Sequence, residues 1–202
     1  MFTGIITDVG TVTSLDAEGD GFRFAIECAY PAADIAVGAS IACSGVCLTA
    51  TTVVPAPRGS RFTADVSPET ADVTTAAAWA PGTRLNLERS LKLGDEMGGH
   101  MVSGHVDGRA TLVSRADSPA GSVLWFKPPE KLARFIAPKG SVALDGTSLT
   151  VNAVEEAFSV TLIPHTLAVT TWGTAAVGTV VNIEVDLFAR YIARMADMQG
   201  TG

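Results

Sequence analysis

The chain has 202 residues, enough for one large domain or two of about 100 residues, and its 47% hydrophobic and 17% charged content excludes a disordered chain. A net charge of −7 argues against nucleic acid and against an anionic membrane surface, because both reward clustered Lys and Arg. No run reaches the ~18 apolar residues that cross a bilayer, and MFTGIITDVG lacks the features of a secretory signal, so a cytoplasmic protein is expected.

Glycines and prolines are spread along the chain, with short Val-, Thr- and Ile-rich runs between them. In chain order, residues 4–12, 22–28, 40–43, 47–53, 61–66 and 84–87 read as strands. SPET at 67–70 offers a capping serine followed by proline and predicts a short helix. Strands follow at 108–114, 123–127, 141–144, 149–154, 159–163 and 180–185, with a second short helix in PPEKLARFI at 128–136. Asp186 then caps a predicted helix, LFARYIARMADM, whose Leu187, Phe188, Tyr191, Ile192 and Met195 form one apolar face. Self-association is the simplest cover for that face.

The chain repeats itself. FTADVSPETADVTT at 62–75 aligns with FSVTLIPHTLAVTT at 158–171, an offset of 96 residues that also carries GTRLNLE at 82–88 onto GTVVNIE at 178–184. Upstream the offset is 100 to 101: Gly4, Thr11 and Gly21 map to Gly104, Thr111 and Gly121, and Gly45 maps to Gly146. The first half thus carries five extra residues, expected in a loop at VVPAPRG, 53–59. The expected organisation is all-β: two similar six-stranded antiparallel Greek-key barrels, 1–97 and 98–186, then a helix and tail at 187–202. Closure leaves no exposed strand edge.

Candidate chemistry sits where the two copies differ. SGVCLT at 44–49 returns as DGTSLT at 145–150, with Ser148 in place of Cys47. Residues two apart on a strand share a face, so Cys47 would lie beside Thr49 and Ser148 beside Thr150. Each pair suits a ligand's polar edge, although a lone Cys also fills cores and a lone Ser also bonds backbone. In GGHMVSGHVDG at 98–108, His105 replaces Ile5, and His is a natural proton-transfer group near neutral pH. The strand ends at 65–70 and 161–166 run into Pro-x-Thr turns, whose free N–H groups serve either a helix cap or a ligand. Three cysteines, Cys28, Cys43 and Cys47, fit no disulfide framework. Together with His100 and His105, Cys43 and Cys47 lack the spacing of a zinc site, so no metal is expected.

MFTGII, SGVCLT, GGHMVSGHVDG, DGTSLT, LIPHT and NIEVD together resemble the α-chain type of riboflavin synthase family, over essentially the whole chain. The resemblance implies a cofactor-free dismutation of two molecules of 6,7-dimethyl-8-ribityllumazine in a homotrimer. Each barrel holds one lumazine, and the working site lies between barrels of neighbouring subunits. It also implies a cytoplasmic biosynthetic role and association with lumazine synthase. Carried across by motif, the N-barrel pocket comprises Gly4, Ile5, Ile6, Cys47, Leu48, Thr49, Asp65, Val66, Ser67, Pro68, Glu69 and Thr70. The C-barrel pocket comprises Gly104, His105, Val106, Lys139, Ser148, Leu149, Thr150, Thr161, Leu162, Ile163, Pro164, His165 and Thr166. Phe2, Cys47, His105, Asp145, Ser148 and Asp186 are the candidates for chemistry or its positioning. The family has Glu before Thr in both Pro-x-Thr turns; here the first keeps Glu69 and the second has His165. A non-catalytic lumazine- or flavin-binding carrier or fluorescent antenna protein is the nearest rival. A flavin reductase would need a G-x-G-x-x-G after a strand, which the sequence lacks.

Overall fold

The computed structural model describes residues 1–199; the last three residues of the expected tail lie outside that range. Strands β1 (Asp8–Glu18), β2 (Gly21–Cys28), β3 (Ser40–Cys43), β4 (Val46–Ala56), β5 (Gly59–Val66) and β6 (Arg84–Arg89) close one antiparallel barrel in the order β1-β2-β5-β4-β3-β6. A short helix α1 (Pro68–Val73) follows β5. The second barrel closes in the equivalent order from β7 (Gly108–Ser118), β8 (Gly121–Lys127), β9 (Ser141–Leu144), β10 (Thr147–Val154), β11 (Phe158–Leu162) and β12 (Val180–Val185). Helix α2 (Glu130–Ala133) precedes β9, α3 (Pro164–Val169) follows β11, and α4 (Leu187–Gln199) ends the described chain.

The duplication extends to irregularities. Register shifts fall between Val12 and Ser14 on β1 and between Leu112 and Ser114 on β7. A second pair falls between Ala50 and Thr52 on β4 and between Val151 and Ala153 on β10. Such bulges bend a strand and sharpen its twist, which is how a short sheet curls shut. Each barrel has its own core. Phe24, Ile26, Phe62, Leu85 and Leu87 fill the first; Leu112, Leu124, Phe126, Phe158 and Ile183 fill the second. Trp79 meets the edge of Phe24 with centroids 5.4 Å apart, and Trp172 meets Phe126 at 5.7 Å. Each buried aromatic of this kind is worth about 1.5–3 kcal/mol in area removed from water.

The five extra residues do not form the expected loop. They lengthen the β4–β5 hairpin, so β4 has 11 residues against 8 in β10 and β5 has 8 against 5 in β11. Residues 4–7, expected to open the first strand, precede it: Gly4 O accepts from Ser148 N, and the chain joins β6 at Thr7, whose N donates to Leu87 O.

The barrels are joined along β6 and β12. In each, Leu85 and Leu87, or Val181 and Ile183, point into the core, while Asn86 and Glu88, or Asn182 and Glu184, alternate onto the other face and are nonetheless buried. The asparagines bond reciprocally. Asn86 Oδ1 accepts from Thr171 N (2.8 Å) and its Nδ2 donates to Asp145 O (3.0 Å). Asn182 Oδ1 accepts from Thr75 N (2.7 Å) and its Nδ2 donates to Ser44 O (2.8 Å). Between them the two hairpin turns meet back to back. Gly45 and Gly146 have φ of 80° and 77°, and a Cβ on Gly45 would lie 2.7 Å from Gly146 N, so no side chain fits there.

Candidate active site

The N barrel presents a cleft at Cys47, the C barrel an equivalent face at Ser148, and the segment laid against each comes from the other repeat. Phe2 and Val102 exchange backbone hydrogen bonds (Phe2 N to Val102 O, 2.7 Å; Val102 N to Phe2 O, 3.1 Å). With Ala42 and Ala143 they form a small buried cluster between the barrels, against which Cys47 packs. Beyond that bridge the two segments cross. Gly4 O accepts from Ser148 N on β10 at 2.8 Å, and Gly104 O accepts from Cys47 N on β4 at 2.9 Å. The approach is close enough that a Cβ on Gly4 would lie 2.5 Å from Ser148 Cβ, and one on Gly104 would lie 2.6 Å from Cys47 Cβ. Both glycines have φ near +78°, a region that also disfavours a side chain.

The expected grouping is therefore corrected. Gly4, Ile5 and Ile6 belong with Ser148 at the C barrel, while Gly104, His105 and Val106 belong with Cys47 at the N barrel. Val106 packs on the N-barrel core. The N-barrel cleft, about 320 Å³, is lined by Val46, Cys47, Glu69, Thr70, Val73, Thr74, Gly104, His105 and Val106. Ser67 caps α1 at its lower end, its Oγ accepting from Thr70 N at 3.2 Å. Thr49 is exposed beside this cleft, whereas the side chains of Leu48 and Val66 are buried in the core, leaving only their backbone for a ligand. Asp65 is engaged by Arg23 Nε and Nη2 at 2.6 and 2.9 Å, which holds its carboxyl below the usual range.

At the C barrel, Ser148, Leu149 and Thr150 on β10 and Thr161 on β11 occupy the equivalent frame. Leu162 is buried, whereas Ile163, Pro164 and His165 stand exposed at the start of α3 with Thr166 half-buried behind them. Here there is no side-chain cap, since Ile163 occupies the place of Ser67. Thr161 Oγ1 accepts from Asn152 Nδ2 at 2.7 Å.

A residue outside the candidate set completes this cleft. His100 Nδ1 lies 2.6 Å from Ser148 Oγ, and His100 N donates to Thr3 O at 3.1 Å. Burial lowers the His100 pKa below the usual histidine value, opposed by the negative charge of Asp186, so the ring is neutral near pH 7. Asp186 itself caps α4, its Oδ1 accepting from Phe188 N at 2.8 Å.

Two further residues were matched in the repeat without a role. Glu88 Oε1 accepts from Thr3 N and Thr3 Oγ1, both at 2.7 Å, and its Oε2 accepts from Gly4 N at 2.9 Å. Glu184 accepts from Ser103 N at 2.7 Å and Gly104 N at 2.9 Å. Burial pushes both carboxyls up, while the N–H donors pull them back. The signal that could have found them is a polar residue kept at alternate positions of a strand in both copies, LNLE and VNIE.

Three candidates lie elsewhere. Phe2 is fully buried at the bridge, with the edge of its ring 3.0 Å from where a Gly104 Cβ would stand. Asp145 faces a separate hollow of about 320 Å³ between the barrels, shared with Ser44, Trp79 and Trp172. Its Oδ1 accepts from Asn182 N at 2.8 Å, and desolvation raises its pKa to about 7. Lys139 is exposed in the turn before β9, in a left-handed conformation (φ 68°) where the first repeat has Gly38 (φ 89°).

Two closed barrels of equivalent strand order define a duplicated β-barrel protein, and the chain belongs to the lumazine-binding family: the lumazine binding domain matches it twice, at residues 3–90 and 103–186. Full-length relatives are riboflavin synthases. That of Brucella abortus (strain 2308) is 53% identical over 201 residues, covering 98% of this chain and 100% of its own. Those of Mycobacterium tuberculosis (strain ATCC 25618 / H37Rv) and Bacillus subtilis (strain 168) are 43% and 37% identical, covering 99% and 96% of this chain and 100% and 89% of theirs. Among solved structures, LumP complexed with riboflavin is similar with a TM-score of 0.81 at 21% identity, covering 92% of this chain and 99% of that one. LumP complexed with 6,7-dimethyl-8-(1'-D-ribityl) lumazine gives 0.79 at 20%, with the same coverage. At that identity the likeness speaks for the fold alone.

Proposed function

We propose that the chain catalyses the riboflavin synthase reaction, in which two molecules of 6,7-dimethyl-8-ribityllumazine give riboflavin and 5-amino-6-(ribitylamino)pyrimidinedione by transfer of a four-carbon unit. The observation that carries it is the unequal furnishing of two equivalent clefts. Cys47 and His105 stand at one; at the other, Ser148 and Ile5 take their places and His100 is added against Ser148. Two copies of one substrate in opposite roles need that arrangement. One lumazine must lose a proton from its C7 methyl, and the other must be attacked at C7.

Proton removal fits the C-barrel cleft. His100 is neutral and bonded to Ser148 Oγ, so the pair can take a proton at the imidazole and orient the substrate through the hydroxyl. The polar strand face of Ser148 and Thr150 on one side, and of Cys47 and Thr49 on the other, suits the hydrogen-bonding edge of a pteridine. The Pro-x-Thr turns beside each cleft offer free N–H groups for a ribityl chain. Much of the rate comes from holding two substrates in line, an effect worth up to ~7–11 kcal/mol.

The clefts of one chain are separate, so the reading calls for a second subunit. Helix α4 is held to the C barrel by its charged face, through Arg190 to Asp107 at 2.6 Å and Arg134 to Asp197 at 2.6 Å. Its Phe188, Tyr191, Ile192 and Met195 are each more than 60% exposed. That supports a homotrimer packed through α4, with the N-barrel cleft of one copy facing the C-barrel cleft of the next. The test is to incubate purified protein with the lumazine and follow riboflavin by its absorbance. Riboflavin should appear with one pyrimidinedione per riboflavin. A bound yellow chromophore without turnover would instead favour a carrier.

A further inference from the structure

Glu88 and Glu184 are buried carboxylates that no step above uses as reactants. Glu88 stands on β6 of the N barrel, yet the segment it holds, Thr3–Gly4, ends on Ser148 of the C barrel. Glu184 stands on β12 of the C barrel, yet the segment it holds, Ser103–Gly104, ends on Cys47 of the N barrel. Each carboxylate uses both oxygens, and all its partners are donors, which is what an ionised acceptor-only group requires. Bonds of this charge-assisted type are about twice as strong as neutral ones. Both groups are 4% exposed, so water is a poor substitute for a lost partner.

We propose that Glu88 and Glu184 are positioning residues wired across the molecule. Glu88 sets the C-barrel cleft through Gly4, and Glu184 sets the N-barrel cleft through Gly104. The reciprocal pairing at Phe2 and Val102 fixes where the segments cross, and the carboxylates fix how far each reaches. A carboxylate that merely stabilised its own barrel would disturb the cleft of that barrel. The wiring predicts the opposite, and that difference is measurable. The proposal rests on the reading of these clefts as lumazine sites for one of its readouts only.

Cys47 is the reporter for the N-barrel cleft, because it is the one half-exposed thiol beside the buried Cys28 and Cys43. Alkylation by iodoacetamide is followed in the full chain, with and without 6,7-dimethyl-8-ribityllumazine. In Glu184→Gln the ligand-free alkylation rate should change by about threefold or more, since opening of this segment becomes easier. The lumazine concentration giving half protection should rise about tenfold, the size of one lost charge-assisted hydrogen bond. In Glu88→Gln both should stay within about twofold of the parent. Moving the thiol, with Cys47→Ser and Ser148→Cys together, should reverse the assignment, so that Glu88→Gln becomes the sensitive variant. Should a Gln variant fail to fold, milder changes take its place. Thr3→Val removes one of the three bonds to Glu88 and leaves the charge, and Glu184→Asp shortens the other clamp. Equal effects of both glutamates at Cys47, no effect of Glu184 there, or a larger effect of Glu88 would each overturn the wiring. Absence of lumazine protection in the parent would instead overturn the functional reading, while the ligand-free rates still decide the wiring.

Discussion

The two clefts share a frame and little else. Bulges, core aromatics, glycines and clamping carboxylates recur at equivalent points, whereas the candidate site side chains diverge: Cys47 against Ser148, His105 against Ile5, Glu69 against His165. His100 lies outside the stretch over which the two copies align, which opens at Gly4 and Gly104. Residues that close a barrel are thus held by packing in both copies, and the exposed polar positions are where the copies were free to take separate roles.

The sharpest way to break that comparison is to remove its most asymmetric member. His100→Ala should lower kcat about 10²–10³-fold while lumazine binding changes little, because a general base acts on the reaction barrier. His105→Ala should cost about tenfold, since His105 is exposed and makes no bond to Cys47 among the described residues. The pH profile gives an independent check. A lowered histidine pKa in the free protein keeps the base unprotonated further into acid, so the acid limb of kcat/KM should have its midpoint below the usual 6.5. Equal losses of kcat and binding in His100→Ala, or a midpoint at or above 6.5, would remove His100 from this role.

The same contrast shows what was legible in the sequence. Strand alternation and the offset repeat gave both barrels, and Asp186 was readable as a cap because its place before an amphipathic helix is a local signal. The crossing was not. Aligning one repeat on the other pairs Gly4 with Gly104 whether each segment serves its own barrel or its neighbour's. Exchanging both leaves the alignment unchanged, so only three-dimensional contact distinguishes the two. His100 was passed over for a related reason, as a residue outside the aligned stretch gains nothing from a repeat. The β4–β5 insertion misled because proline and glycine read as a loop, yet Pro55 sits near the hairpin end opposite Ser60, where strand structure tolerates it.

A smaller effect is expected between the barrels, where Asp145 and Ser44 occupy equivalent turns. The carboxyl has a pKa of about 7 in the folded protein against an ordinary 3.8, through desolvation. The folded state therefore favours the protonated form. The resulting stabilisation is complete below pH 3.8 and is lost as the pH rises through about 7. Asp145→Asn keeps an acceptor for Asn182 N and removes the charge. It should match the parent near pH 4 and exceed its stability at pH 8 by about 2 kcal/mol, less than the full shift implies because the hollow is open to water. Thermal melts at the two pH values would show it. A variant less stable than the parent at pH 8 would mean that the carboxylate has a stabilising partner in the folded assembly.

The smallest expected effect concerns the Pro-x-Thr turns, where Glu69 opens α1 and His165 opens α3. An acidic residue in a first helical turn is worth about 0.3–1 kcal/mol through the helix dipole alone. It also offers an acceptor to a sugar hydroxyl, which a neutral imidazole matches with a single nitrogen. His165→Glu separates the two contributions. If Glu69 serves ligand binding, the variant should bind lumazine about threefold more tightly at the C barrel and gain a few tenths of a kcal/mol in stability. A gain in stability with unchanged affinity would assign the turn to capping. The ribityl chain would then be held by backbone N–H groups, which both copies share, and the divergence of the clefts would be confined to the reacting end of the substrate.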